Sequence, residues 1–201
     1  AKERDWGYGP EDVQKEELYT EVDEILGRYP HLNVIFAHFY FLSADLRRAA
    51  GFFDAHPNVH FDLAPGIEML YNLSEVTYAD RIVFGTDLSS RMTVEEGRAR
   101  AGIIYRWLET DDTFRVPEAA DFLLGPPEDG VIRGMALPDH VLTRLYHDNF
   151  VRLAGPRPQE LNVEAAVAFC ERLSATAAAV SGVAADETEA ALVARKLSAE
   201  A

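Results

Sequence analysis

The sequence predicts an α/β fold built on parallel strands, and three observations carry that expectation. Residues 33–39, 58–63 and 81–86 read as short strands rich in β-favouring residues, and the first of them is apolar almost throughout, without the polar alternation of a strand that faces water. Segments long enough for helical crossovers separate them. Each run also ends in a polar group that its apolar pattern does not explain: His38, Asp62 and Asp87, which lie 24 and 25 residues apart. That interval is one strand-plus-helix unit, so the three side chains belong on one rim.

In chain order, residues 13–28 carry Val13, Leu18, Val22, Ile25 and Leu26 near helical spacing and stop at Gly27-Arg28-Tyr29-Pro30, which predicts an amphipathic helix. The first strand follows. Ser43 then stands as N-cap of a helix through residue 54, whose Leu46, Ala49, Ala50 and Phe53 return on one face. After the second strand, Pro65-Gly66 leads into a short helix over 67–76 and then the third strand. Thr93 and Glu96 have capping-box spacing and open a helix through residue 108, with Trp107 in the core. Residues 111–137 break the alternation with prolines and glycines and read as an ordered insertion with a short hairpin. Pro138 starts a helix to about residue 146, and a helical tail occupies 161–181 and 186–197.

Composition narrows the function. With 201 residues and 48% hydrophobic content, the chain supports one ordinary core. A net charge of −15 repels phosphate backbones and anionic lipid, so neither nucleic acid nor a membrane surface is an expected partner. AKERDWGYGPED has no leader pattern, no run is long enough to span a bilayer, and Cys170 is a lone cysteine; a cytoplasmic setting is expected. No Gly-rich phosphate loop follows a strand, which argues against an open nucleotide-binding α/β domain.

In parallel α/β folds the strand C-termini converge side chains into an active site. Imidazole and carboxylate are also ligands that zinc accepts, and a carboxylate beside a metal-bound water can take its proton. Spacing by itself leaves other roles open: His38 as a hydrogen-bonded boundary residue, Asp87 as a helix N-cap or Asx-turn residue, and Asp62 as an acceptor for nearby backbone donors.

The series YPHLNVIFAHF, HPNVHFDLAPG, ADRIVFGTD and YHDNFVRLAG resembles the C-terminal half of the amidohydrolase-related family, in its aminocarboxymuconate semialdehyde decarboxylase-like branch. The resemblance implies strands six to eight of a (β/α)8 TIM barrel with a divalent metal, usually zinc, at the strand C-termini. By that pattern Asp87 matches the strand-eight aspartate that binds metal and exchanges a proton. His38 matches the strand-six histidine beside the metal, as a second-site ligand or an acid-base and orienting group, and Asp62 is structural. The expected reaction is hydrolysis of a small molecule by metal-activated water, or non-oxidative decarboxylation.

Departures from the pattern shape further expectations. No His-x-His pair occurs, and His31, His56, His60, His140 and His147 read as loop, packed or surface residues. The whole chain, 1–201, therefore reads as the C-terminal portion of one barrel domain, inactive alone, with the insertion at 111–137 and the tail at 161–201. Three parallel strands leave two unpaired edges, so association into a homo-oligomer is expected. A non-catalytic half-barrel that docks on another chain is the competing function. GTDLSSR lacks the proline that the family often places two residues after GTD, so Ser89, Ser90 and Arg91 are expected to face substrate, with Arg91 either suited to a carboxylate or simply a solvent-exposed loop arginine. Tyr40, Glu68 and Tyr71 are expected pocket walls.

Overall fold

The computed structural model describes residues 9–64, 78–89, 91–118 and 131–200. The helix expected over 67–76, with Glu68, Met69 and Tyr71, lies outside the described residues, as do Ser90 and residues 119–130 of the insertion. Two compact units make up the chain, Ala1–Ala154 and Gly155–Ala201.

In the first unit, strands β1 (Val34–Phe36), β2 (Val59–Asp62) and β3 (Ile82–Val83) form a parallel sheet in the order β1-β2-β3. The register pairs Ile35 with His60 and Phe61 with Ile82. The parallel sheet agrees with the apolar runs, although each strand is shorter than its run. Alternation along β2 sends Val59 and Phe61 toward the helices, both fully buried, and His60 and Asp62 to the opposite face. Ile35, the partner of His60, is 41% exposed.

Helix α1 (Lys15–Arg28) buries Tyr19 and Leu26, and α2 (Leu46–Ala55) buries Ala49 and Phe53. The N-cap of α2 is Asp45, whose side chain accepts from the Arg48 N–H at 3.0 Å. Ser43, the expected cap, is instead buried where the chain leaves the rim. Arg48 joins the two helices: it meets both Glu16 carboxylate oxygens, at 2.8 and 2.7 Å, and stacks 4.0 Å above the Tyr19 ring.

β1 ends early because the chain coils into a left-handed turn. His38, Phe39, Tyr40 and Phe41 have φ of 56°, 53°, 54° and 54°. Each L-residue there costs roughly 1–2 kcal/mol relative to the right-handed form. Burial offsets this: Phe39 packs on Phe61 at 5.1 Å between centroids, Tyr40 on Phe36 at 4.2 Å, and Leu42 is 4% exposed.

Helix α3 (Val94–Glu109) carries the expected capping box, Thr93 with Glu96. Its last turn is tied to the insertion. The N–H groups of Met135, Leu137 and Ala136 donate to the carbonyls of Trp107, Leu108 and Thr110 at 2.8–2.9 Å. Gly134 makes this approach possible, since a Cβ there would lie 2.0 Å from the Thr110 oxygen. The expected hairpin appears as β4 (Thr113–Arg115) antiparallel to β5 (Val131–Arg133). Trp107 is fully buried.

After the N-cap Pro138, α4 (Asp139–Thr143) widens through a π-type turn (Arg144–Asp148) into α5 (Asn149–Ala154). Within the widened turn the Leu145 carbonyl accepts the Phe84 N–H at 2.9 Å, continuing β3 past its last ladder pair. Asn149 is fully buried and its Nδ2 donates to the carbonyls of Ala79 and Ile82, at 2.6 and 2.7 Å. It holds α5 against the start of β3.

The second unit is a helical hairpin, α6 (Val163–Ser181) and α7 (Glu189–Glu200). Asn162 caps α6, and Gly182 ends it at φ 72°. Ser174 is buried and bonds the Ala185 carbonyl, with the Thr188 hydroxyl 2.9 Å from its oxygen. Cys170, on α6, is half-buried.

Two expectations follow. Asn149→Ala removes both bonds to the start of β3 and should destabilise the chain by about 2–4 kcal/mol in urea unfolding. Burial, reinforced by Arg152 and Arg81, holds the His60 imidazole below its ordinary value of 6.5. The folded state therefore binds fewer protons than the unfolded state, and this contribution is complete above pH 6.5 and lost as pH falls below it. Thermal unfolding between pH 7 and pH 5 should show a smaller acid loss for His60→Gln than for the wild type.

Candidate active site at the strand rim

The rim is assembled from the exits of three adjacent strands. β1 delivers His38 on the first left-handed residue of its turn, and the imidazole Nδ1 is buried with no hydrogen-bond partner among the described residues. A Phe41 ring lies 5.3 Å from the imidazole. β2 delivers Asp62, whose Oδ1 accepts the N–H of His38 at 2.8 Å and that of Ala64 at 3.0 Å. β3 runs on through Phe84 and Gly85 to Asp87. At Gly85 an added Cβ would stand 3.2 Å from the Asp62 carboxylate, so glycine admits that side chain between the strand ends.

Asp87 is itself left-handed, at φ 50°, a conformation aspartate tolerates better than most residues. Its Oδ2 is 2.7 Å from Nη1 of Arg100 on α3, and the same Nη1 donates to the Asp87 carbonyl at 2.7 Å. The Arg100 side chain is 4% exposed and that of Asp87 is 52% exposed. A buried guanidinium thus orients a carboxylate that still reaches solvent. Arg100 was not among the residues expected in the site, yet a signal exists: positions 100, 103, 104, 107 and 108 form one helical stripe on which the others are apolar. A cation on a buried stripe needs a buried acceptor.

The other expected site residues are distributed differently. Ser89 and Arg91 lie in the exposed loop after Asp87, where the Met92 N–H closes a turn on the Ser89 carbonyl at 3.1 Å. Tyr40 is not gathered with His38 and Asp87. Its ring turns into the helical layer and lines a cleft with Tyr19, Asp23, Arg48 and Phe52. Burial pushes its phenol up to about 12, with Tyr19 and Asp23 adding to the effect. The cause is packing: left-handed residues cannot all present side chains to the rim, and Tyr40 fills the space between Phe36 and Phe52. Of the remaining histidines, His56 bonds Asp23 at 2.8 Å and His147 bonds its neighbour Asp148 at 2.9 Å, both away from the rim residues.

A zinc site needs three or four protein donors. Among the described residues no three His, Cys, Asp or Glu side chains converge. His38 and Asp87 offer one nitrogen and one oxygen donor, and the buried Nδ1 has no hydrogen-bond partner among the described residues. These residues fit part of a metal site and do not close one. Among the described residues, no helix is long and apolar enough to cross a membrane.

Known proteins bear on this geometry in one respect. A family model described as amidohydrolase matches residues 7–155. No curated protein and no solved structure gives a significant match to the chain. The matched stretch takes in the parallel sheet, the rim residues His38, Asp62 and Asp87, the arginine that orients Asp87, and the helix held by Asn149. It spans most of the sequence, and on that ground the chain belongs to the amidohydrolase family, whose function is of the hydrolase type.

Proposed function

We propose that this chain supplies the last three strands of a (β/α)8 barrel whose C-terminal rim hydrolyses a small molecule with the help of a divalent metal, zinc being the one the family resemblance implies. The observation that supports this most is the orientation of Asp87 by a buried arginine, at the end of the strand next to the one that ends in Asp62. His38 and Asp87 would be two of the metal's donors, and the others would come from further strands. Such a metal supplies polarisation of a carbonyl and a lowered pKa for bound water.

The chain's own residues do the rest. Arg100 holds one oxygen of Asp87, leaving a half-exposed carboxylate to accept and return a proton at the rim. His38 stands as the acid-base or orienting group. In the loop after Asp87, Arg91 and Ser89 face solvent, where they can meet a substrate carboxylate. Tyr40 has no part in this reading, because its ring belongs to the helical layer. Non-oxidative decarboxylation of an aromatic carboxylate uses the same groups, and product analysis distinguishes the two reactions. The unpaired edge of β1 among the described residues, together with exposed Ile35, favours a second reading, a half-barrel that docks on another chain without catalysis.

Asp87→Asn in the full-length protein should lower turnover by about 10²-fold or more on a panel of ester, amide and aromatic carboxylate substrates. Product release and CO₂ evolution are the readouts. Unchanged turnover in both Asp87→Asn and His38→Gln would remove the catalytic reading and leave the docking module.

A further inference from the structure

We propose that Asp62 is a positioning residue: its carboxylate sets the left-handed turn that carries His38 and couples that turn to the end of the strand bearing Asp87. The inference rests on the role given to His38 above and adds to it the group that holds His38 in place.

The geometry is specific to this side chain. Asp62 is the last residue of β2 and points to the face opposite Phe61. Its Oδ1 takes two backbone donors, His38 N–H at 2.8 Å and Ala64 N–H at 3.0 Å. The first is the entry to a turn of four consecutive left-handed residues, none of them glycine. L-residues leave that region unless the surroundings over-determine it. Inside the turn, Phe39 and Tyr40 are fixed by ring packing. At its entry the Asp62 oxygen is the fixing group.

On its other side the carboxylate meets β3. A Cβ at Gly85 would come within 3.2 Å of both Cγ and Oδ2 of Asp62 and 3.3 Å of the Ala64 nitrogen. The β3 exit therefore passes close to the carboxylate, with room for it only because residue 85 is glycine, two residues before Asp87. One carboxylate thus bonds the exits of β1 and β2 and lies against the space that Gly85 leaves open at the exit of β3. Without it, the His38 N–H loses its acceptor in a half-buried position, the turn relaxes toward right-handed or extended backbone, and the imidazole moves away from its place on the rim.

Isotope-labelled 201-residue chain tests this by nuclear magnetic resonance. In Asp62→Ala, exchange of the His38 amide should accelerate by about tenfold or more relative to core amides such as Ile104, and the His38 imidazole carbon-proton signals should shift. Asp62→Asn keeps an acceptor oxygen and should return both readouts close to wild type. The proposal is overturned if Asp62→Ala leaves the His38 amide and ring signals in place, or if the two variants displace them equally. Should Asp62→Ala not fold, the wild-type chain decides: a through-hydrogen-bond coupling from the His38 amide nitrogen to the Asp62 carboxylate carbon is expected, and its absence overturns the assignment. None of these readouts involves turnover. Normal catalysis in the His38 and Asp87 variants would sink the proposed function and leave the positioning role standing, and an unmoved His38 would do the reverse.

Discussion

Phe61 is the point on which this fold depends. The rings of Phe36, Phe39, Tyr40, Phe52 and Phe53 all meet it, from β1, from the left-handed turn and from α2. Burying that one side chain on the central strand fixes the packing of α2 and the depth to which the turn is drawn in. Aromatic pairs favour edge-on and offset arrangements, so the cluster specifies orientation as well as proximity. A smaller residue at this position would remove the surface that the turn needs in order to close.

Electrostatics then decides what the rim presents. The chain is strongly acidic, and one buried arginine has Asp87 among its partners, on the loop after β3. Placing a guanidinium on the buried stripe of α3 costs desolvation energy that only close acceptors offset. Thr86 and Asp87 supply them through both backbone and side chain. The arrangement explains why a carboxylate more than half exposed still has a defined direction. It also ties the helix after β3 to the end of that strand, so the loop between them begins from a fixed point.

Much of this could be read from the residues alone. The strands announce themselves as β-favouring segments at regular intervals, the capping box of α3 is a local pattern, and the rim follows from parallel topology. The polar roles at the strand ends were legible only as a shared location. What escaped was the shape of the exit from β1: HFYF contains neither glycine nor asparagine, so nothing local marks a left-handed turn, and the conformation is imposed by tertiary packing. That same turn sends Tyr40 into the helical layer. Asn149 sits in a motif noticed for its resemblance, but its two bonds to the β3 segment depend on a contact across 67 and 70 residues that no local pattern encodes. Arg100 was visible in principle, because a charge on an apolar stripe is a conflict that structure must resolve.

The left-handed turn has a consequence for how the molecule comes to life. Four bulky residues will scarcely populate that conformation in an unfolded chain, so local preference cannot nucleate it. Its native form depends on β2, α2 and the ring cluster packed around it, so on physical grounds it is expected to close late on the folding path. A collapsed intermediate could hold the sheet and most of its core while its histidine points elsewhere. If His38 has the role proposed for it, chemical competence would arrive as the last event of folding, and a chain with modest damage to its core could remain compact while its rim is misassembled.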